Sequence, residues 1–234
     1  MVLPQRERYS VEDEKMRQRL ILFCLCMGSL LLAGCLNPLG GPDACDGEGV
    51  LFADNFAADH NCGWAVYSQG GAVAAIVEDT MRLSTSQPGQ VWWTNPQREF
   101  DDVIITVQAR QLDGPDDNAY GVICRYQNAD NFYIFLISGD GYYAIGKYQS
   151  GSEQIEYLSG GGQFQASDVI NQGVATNQIR ASCIGNELSL AVNGLPLATV
   201  TDPTFVVGDI GLGASTFQPG TAVIAFDNVQ VLAP

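Results

Sequence analysis

What most limits the fold of this chain is the absence of a helical apolar repeat. From Val50 to Pro234 no stretch keeps its apolar residues in step with a helix over three turns. The region breaks instead into about thirteen short runs, many rich in β-branched and aromatic residues. They read VLFADNF, MRLSTS, VWWTN, DVIITVQARQL, AYGVICRYQ, NFYIFLIS, YYAIGKYQ, QIEYLS, NQIRASCIG, ELSLAVNG, LPLATVT, GDIGLGAST and AVIAFDNVQVL. Clusters such as QNAD, SGDG, QSGS, IGN and NGLP separate them, and these residues accept turn conformations. Ala166 to Asn171 has room for one helical turn. No segment repeats at a fixed period, which argues against propellers and solenoids. So many short strands in one domain predict an all-β fold: two antiparallel sheets packed as a β-sandwich or jelly roll.

The N-terminus reads as an export signal. MRQR (Met16 to Arg19) is basic, LILFCLCMGSLLLAG (Leu20 to Gly34) is apolar, and Cys35 follows. The apolar run is shorter than the ~20 residues a spanning helix needs, and Asn37-Pro38 comes soon after it. Leu32-Ala33-Gly34-Cys35 resembles the bacterial lipobox, which implies cleavage before Cys35 and a lipid on that cysteine. Residues 1–15 would make a long leader of mixed charge, so translation is expected to start at Met16. The expected division is residues 1–34 as signal peptide, 35–49 as lipidated cysteine and Gly/Pro-rich tether, and 50–234 as the folded domain. The expected address is the bacterial cell surface or periplasm, anchored to the membrane through Cys35.

Charge narrows the partners. Residues 1–34 hold five of the eleven Lys and Arg and four of the 26 Asp and Glu, leaving six and 22, a net charge of −16. Such a surface repels phosphate backbones and anionic headgroups, which excludes nucleic acid as a partner and leaves membrane attachment to the lipid.

Beyond Cys35 four cysteines remain: Cys45, Cys62, Cys124 and Cys183. Of the three possible pairings we favour Cys45–Cys62 and Cys124–Cys183, the second joining two expected strands. Loop closure gives about 3 and about 4 kcal/mol for the two bridges, as upper figures. A zinc site is the alternative, but CxxC spacing is missing and His60 is the only histidine.

Several segments together resemble a known superfamily. LFADNF…CGW (Leu51 to Trp64) opens the domain, and GVICRYQNADNFYIF followed by GDGYYAIGKY fills its middle. NQIRASCIGNELSLAVNG (Asn177 to Gly194), GDIGLGA (Gly208 to Ala214) and AFDNVQV (Ala225 to Val231) complete the series. The series resembles the concanavalin A-like lectin/glucanase superfamily, more narrowly the 3-keto-disaccharide hydrolase-like and laminin-G-like domains of bacterial surface lipoproteins. That resemblance implies a concanavalin A-like jelly roll with carbohydrate on its concave face.

If Cys124 bonds to Cys183, its side of GVICRYQ, shared with Val122, faces inward, and strict alternation then puts Arg125 outward. A turn near Ala129 then sets Tyr133 opposite Arg125, and the strand around Cys183 turns Arg180 outward. Arg125, Tyr133 and Arg180 are therefore expected on one outer face as a sugar site. An aromatic ring offers a flat apolar surface to a pyranose, and a guanidinium offers fixed donors to hydroxyls or carboxylates. Trp92 and Trp93 are further candidate platforms, with Tyr142, Tyr143 and Lys147 at the rim. Alternatively, the arginines pair with acids and the aromatics only cover the sheet.

Catalytic patterns are weak. E-x-D-x-x-E, the run of the related family-16 glycoside hydrolases, is missing, and Glu153 and Glu156 would point to opposite faces of a strand. His60 lacks a Ser or Cys triad, and GGG at 160–162 is not followed by Lys-Ser/Thr. No organic cofactor is implied. A structural calcium ion could join Asp54 and Asn55 to Asp227 and Asn228 at the two chain ends, although Asx turns explain the same residues. The reading is thus an exported, lipid-anchored carbohydrate-binding jelly roll. A hydrolase of (3-keto-)disaccharides is one alternative, and an adhesive face around Trp92, Trp93 and Phe135 is the other.

Overall fold

The computed structural model describes Cys45, Asp46 and residues 49–234; the signal peptide, Cys35 and most of the tether lie outside the described residues. The first half of the domain holds β1 (Phe52–Asp54), β2 (Tyr67–Gln69), β3 (Ala72–Val77), β4 (Thr80–Thr85), β5 (Trp92–Thr94), β6 (Val103–Asp113), β7 (Asn118–Asn128) and β8 (Asn131–Ile137). The second half holds β9 (Tyr142–Tyr148), β10 (Glu156–Tyr157), β11 (Gln165–Ala166), β12 (Asn177–Ile184), β13 (Glu187–Val192), β14 (Leu195–Thr201), β15 (Asp209–Thr216) and β16 (Ala222–Leu232). The only helix among the described residues is a 3-10 turn at Ala57–Asp59. Ala166 ends β11, and Ser167 to Ile170 form a turn closed by Ile170 N–H on Ser167 O, without a helical turn.

The strands build two antiparallel sheets. A nine-stranded sheet runs β14-β13-β12-β6-β16-β4-β3-β2, with β1 also on β16. A seven-stranded sheet runs β10-β9-β8-β7-β15-β5, with β11 also on β9. All thirteen expected strands are present, and β2, β3 and β11 are additional. Between the sheets lies the main core, with Ile105, Val107, Ile179, Leu190 and Phe226 from one side and Tyr120, Val122, Phe135, Ile145 and Leu212 from the other. Cys124–Cys183 bridges the sheets through this core, and Cys45–Cys62 closes the N-terminal loop, both as favoured from sequence. Two such bonds fit an oxidising compartment outside the cytoplasm.

The alternation expected along β7 breaks at Arg125. A bulge shifts the β7–β8 register between Cys124 and Asn128, and Arg125 takes φ 52°, in the left-handed region. Its side chain turns inward instead of outward and is 1% exposed. Nη1 donates to the carbonyls of Gly185 and Phe205, each at 2.7 Å, and Nη2 donates to Asp102 Oδ1 at 2.9 Å. Gly208 makes room for this, because a Cβ there would stand 2.5 Å from the Arg125 carbonyl carbon. The guanidinium thus ties β7 to the β12–β13 turn of the other sheet and to the crossover at residues 202–208.

Removing this buried cation leaves the buried Phe205 carbonyl, the part-buried Gly185 carbonyl and Asp102 without their donor. Arg125→Met is expected to lower unfolding stability by about 3 kcal/mol or more in urea titrations at neutral pH. A loss under about 1 kcal/mol would be the value of a surface ion pair and would contradict the clamp.

Candidate functional site

The seven-stranded sheet is apolar on both faces. Its outward face carries a second cluster of Ala119, Ile123, Phe132, Ile134 and Leu136, packed with Trp93, Tyr126, Tyr148, Ile155, Tyr157 and Phe164. The long connection after β9 folds back over this face. Gly146 permits that, since a Cβ there would meet Ile155 Cγ2 at 2.5 Å. What remains uncovered is a groove of about 670 Å³, with Trp93, Phe132, Tyr148, Tyr157 and Phe217 among its lining. The rings pack in a row, with Trp93 5.3 Å from Phe132 between centroids and Phe132 stacked on Tyr148 at 5.7 Å; Phe132 is buried and the two flanking rings are half-buried. Gln90, Gln154, Asp130 and Glu153 add polar edges. Such a site offers flat apolar faces with donors and acceptors beside them, as a polyhydroxylated ring requires.

The expected site residues scatter from this groove. Trp93 lies in it. Trp92 turns the other way, its ring 6.2 Å from Tyr67 and packed over Gly70. Tyr142 is exposed at the edge of a neighbouring cavity with Phe164 and Phe217. Tyr143 packs against the main core. Arg125 is buried in its clamp. Arg180 does face outward, but on β12 of the nine-stranded sheet, across the sandwich from the groove.

Tyr133 pairs with Cys124, not Arg125, and shares its inward face. Its hydroxyl donates to Asp202 Oδ1 at 2.6 Å and accepts the Phe205 N–H at 3.0 Å. Lys147 also turns inward and donates to Asp202 Oδ2 at 2.8 Å. Burial alone would lower Lys147, but Asp202 and Glu156 outweigh it and hold the ammonium above the ordinary lysine range. Burial would raise Asp202, but hydrogen bonds from Lys147, Thr204 and Tyr133 keep it well below the usual carboxylate range. Asp202 therefore adds stability above the ordinary carboxylate pKa, and that contribution is lost as acid protonates it. The expected apolar docking face does not form either, since Phe135 is fully buried in the core.

The proposed calcium ligands are committed to the protein. Asp54 Oδ1 accepts the Phe56 N–H at 2.7 Å, and Oδ2 accepts the Cys62 N–H at 3.2 Å and Trp64 Nε1–H at 3.0 Å. Asp227 Oδ1 accepts the Asn228 N–H at 2.6 Å. These contacts are those of Asx-type turns, which account for both aspartates without an ion. Among the described residues only Cys45, His60 and Cys62 cluster closely enough for a metal, and both sulfurs are in a disulfide.

No protein-family model matches the chain, and no curated protein matches it. Solved structures share its architecture. A carbohydrate-binding module CBM66 from Bacillus subtilis aligns at 15% identity over 73% of this chain and 96% of its own, with a TM-score of 0.57. The fold is a two-sheet β-sandwich jelly roll. A Bacillus subtilis protein of unknown function with a galectin-like fold aligns at 12% identity over 79% and 96%, also at 0.57. A Crh5 transglycosylase in complex with NAG aligns at 10% identity over 78% and 83%, at 0.55.

Sequence reasoning missed Phe132, Tyr148, Tyr157 and Phe217. One signal was available: NFYIFLI is apolar at nearly every position, the mark of a strand covered on both faces.

A third cavity, at the start of β15, holds Asp209 with Arg98, Glu99 and Tyr126. Burial pushes the Asp209 carboxyl up to about 6, against backbone N–H groups of Arg98, Ile210 and Gln97. The folded state then keeps a proton that the unfolded chain has released, so this group costs stability as pH rises from about 4 towards 6. Asp209→Asn is expected to gain on the parent protein by up to about 3 kcal/mol between pH 4 and pH 7 in paired urea titrations. An unchanged difference at the two pH values would show that Asp209 ionises normally.

Proposed function

We propose that this domain binds carbohydrate in the groove on the outward face of its seven-stranded sheet, outside the cytoplasm. The observation that carries the reading is the run of rings from Trp93 through Phe132 to Tyr148, bordered by Tyr157 and Phe217. Half-buried Trp93 and Tyr148 pack on the buried Phe132 ring, which makes the apolar floor rigid, and rigid platforms bind with little loss of side-chain freedom. Fold likeness to a carbohydrate-binding module and to a transglycosylase in complex with NAG supports the same reading. A lipid on Cys35 would hold the domain at the membrane, where it captures polysaccharide or glycoconjugate.

The test is glycan binding by calorimetry across a panel of polysaccharides. Trp93→Ala is expected to weaken the binding about tenfold or more at a temperature well below the variant's own thermal midpoint, where it is fully folded. Arg180→Ala, on the opposite face, is expected to leave affinity unchanged. Turnover of a bound glycan, lost in Asp130→Asn or Glu153→Gln, would replace binding with hydrolysis as the function.

Anchoring has its own test. Cys35→Ser in the bacterial host is expected to remove the lipid mass from the protein and release it from the membrane fraction. Retention of the variant in that fraction would transfer the anchoring to another segment.

A further inference from the structure

The groove is lined without a cation. Asp130 and Glu153 stand on it, and Asp117 and Asp140 stand on the neighbouring cavity, which shares Phe217 with it. Asp117 accepts Gln218 Nε2–H at 3.0 Å and Asp140 accepts the Ser138 hydroxyl, so both are engaged. The Asp130 and Glu153 carboxylates are exposed, and among the described residues neither meets a hydrogen-bond donor or a basic side chain.

The basic residues beyond Cys35 are Arg82, Arg98, Arg110, Arg125, Lys147 and Arg180, and none lines either cavity. Arg82, Arg110 and Arg180 lie on strands of the nine-stranded sheet. Arg125 and Lys147 turn inward to Asp102 and Asp202, and Arg98 pairs with Asp46 beside the Phe52 ring. Every positive charge therefore belongs to the scaffold or to another surface.

We propose that the groove selects sugar chains without negative charge and holds amine-bearing ones most firmly. This rests on the carbohydrate reading above. A uronate, sialate or sulfated sugar would bring its anion to Asp130 and Glu153 with no guanidinium or ammonium to receive it. Its approach would also be slowed by the net charge of the domain. A protonated amine finds Asp130 or Glu153 on the groove and gains charge-assisted hydrogen bonds there. A neutral sugar lies between these cases, held by the rings and by hydroxyl contacts.

The experiment uses the purified full chain in detergent and three sets of hexaoses. One set is neutral (glucose, galactose, mannose), one amine-bearing (glucosamine, galactosamine), and one carboxylated (glucuronate, galacturonate, mannuronate). Affinities are read at low and at high salt, on either side of the ~0.1 M at which the screening length is about 10 Å. At low salt the carboxylated set is expected to bind about tenfold more weakly than the neutral set, and the amine-bearing set about threefold more tightly. Both gaps should narrow at high salt, and in Asp130→Asn/Glu153→Gln at low salt. Carboxylated hexaoses that bind as tightly as neutral ones would overturn the charge selection while leaving the groove a sugar site. Gaps that persist unchanged in the double variant would overturn the role given to these two carboxylates. No binding by any hexaose would overturn the carbohydrate reading itself, and this inference with it.

Discussion

The Arg125 guanidinium is the contact on which the arrangement of this sandwich turns. A two-sheet sandwich is held by apolar area, which is large but non-directional. Arg125 adds direction: one side chain from β7 grips the β12–β13 turn, the residues ahead of β6, and the crossover leading into β15. Tyr133 and Lys147 grip the same crossover through Asp202. Three neighbouring strands thus send polar groups into one end of the interior, and there they fix how the chain passes between sheets. The arrangement has costs. Arg125 holds a left-handed backbone conformation, worth roughly 1–2 kcal/mol for a residue with a side chain. Its Nε is buried without a partner. Charge-assisted hydrogen bonds offset these costs, and the gain lies as much in a unique geometry as in stability.

The same bulge shapes the groove. With strict alternation, Tyr126 would follow Cys124 into the main core. The extra residue reverses this, and Tyr126 joins the outward cluster 6.0 Å from the Trp93 ring. One irregularity therefore sends a cation inward to lock the sheets and an aromatic outward to buttress the platform. The long connection after β9 completes the groove by laying Ile155, Tyr157 and Phe164 over a sheet face that would otherwise expose a broad apolar surface.

Legibility from sequence follows these physical lines. The thirteen strands found in advance are those with β-branched or aromatic runs and clear turn chemistry. AVAAIV, now β3, was missed because its alanines carry little strand preference. Cys124 and Cys183 are readable as partners because both sit on clear strands, and their bond in turn tells which side of each strand faces inward. From Arg125 onward, parity failed. A bulge with a non-glycine residue at positive φ leaves no mark in the residue types, and one skipped position reverses every side chain beyond it. Tyr133 and Lys147 were misplaced for the same kind of reason, because their faces were argued from Arg125 or left to the rim. Trp93 was found because one of two adjacent tryptophans must face out. Phe217 comes from the connection after β15 and Tyr157 from the two-residue β10, and neither is long enough for periodicity to say which way a ring points.

Parity also explains how a scaffold and a site share the same three strands. On β8, Phe132 serves the groove and Tyr133 the crossover; on β9, Tyr148 serves the groove and Lys147 the crossover. On β7, Tyr126 and Arg125 divide the same way. Each pair is adjacent in sequence and opposite in space, because successive strand residues point to opposite faces. Groove-facing positions are in contact with one another and with the covering loop, while the clamp positions are in contact with residues 202–208 and the other sheet. Side chains on the groove can change with little strain on the clamp, provided the bulge stays where it is. The register of GVICRYQ therefore constrains this protein more tightly than the identity of any ring in its groove.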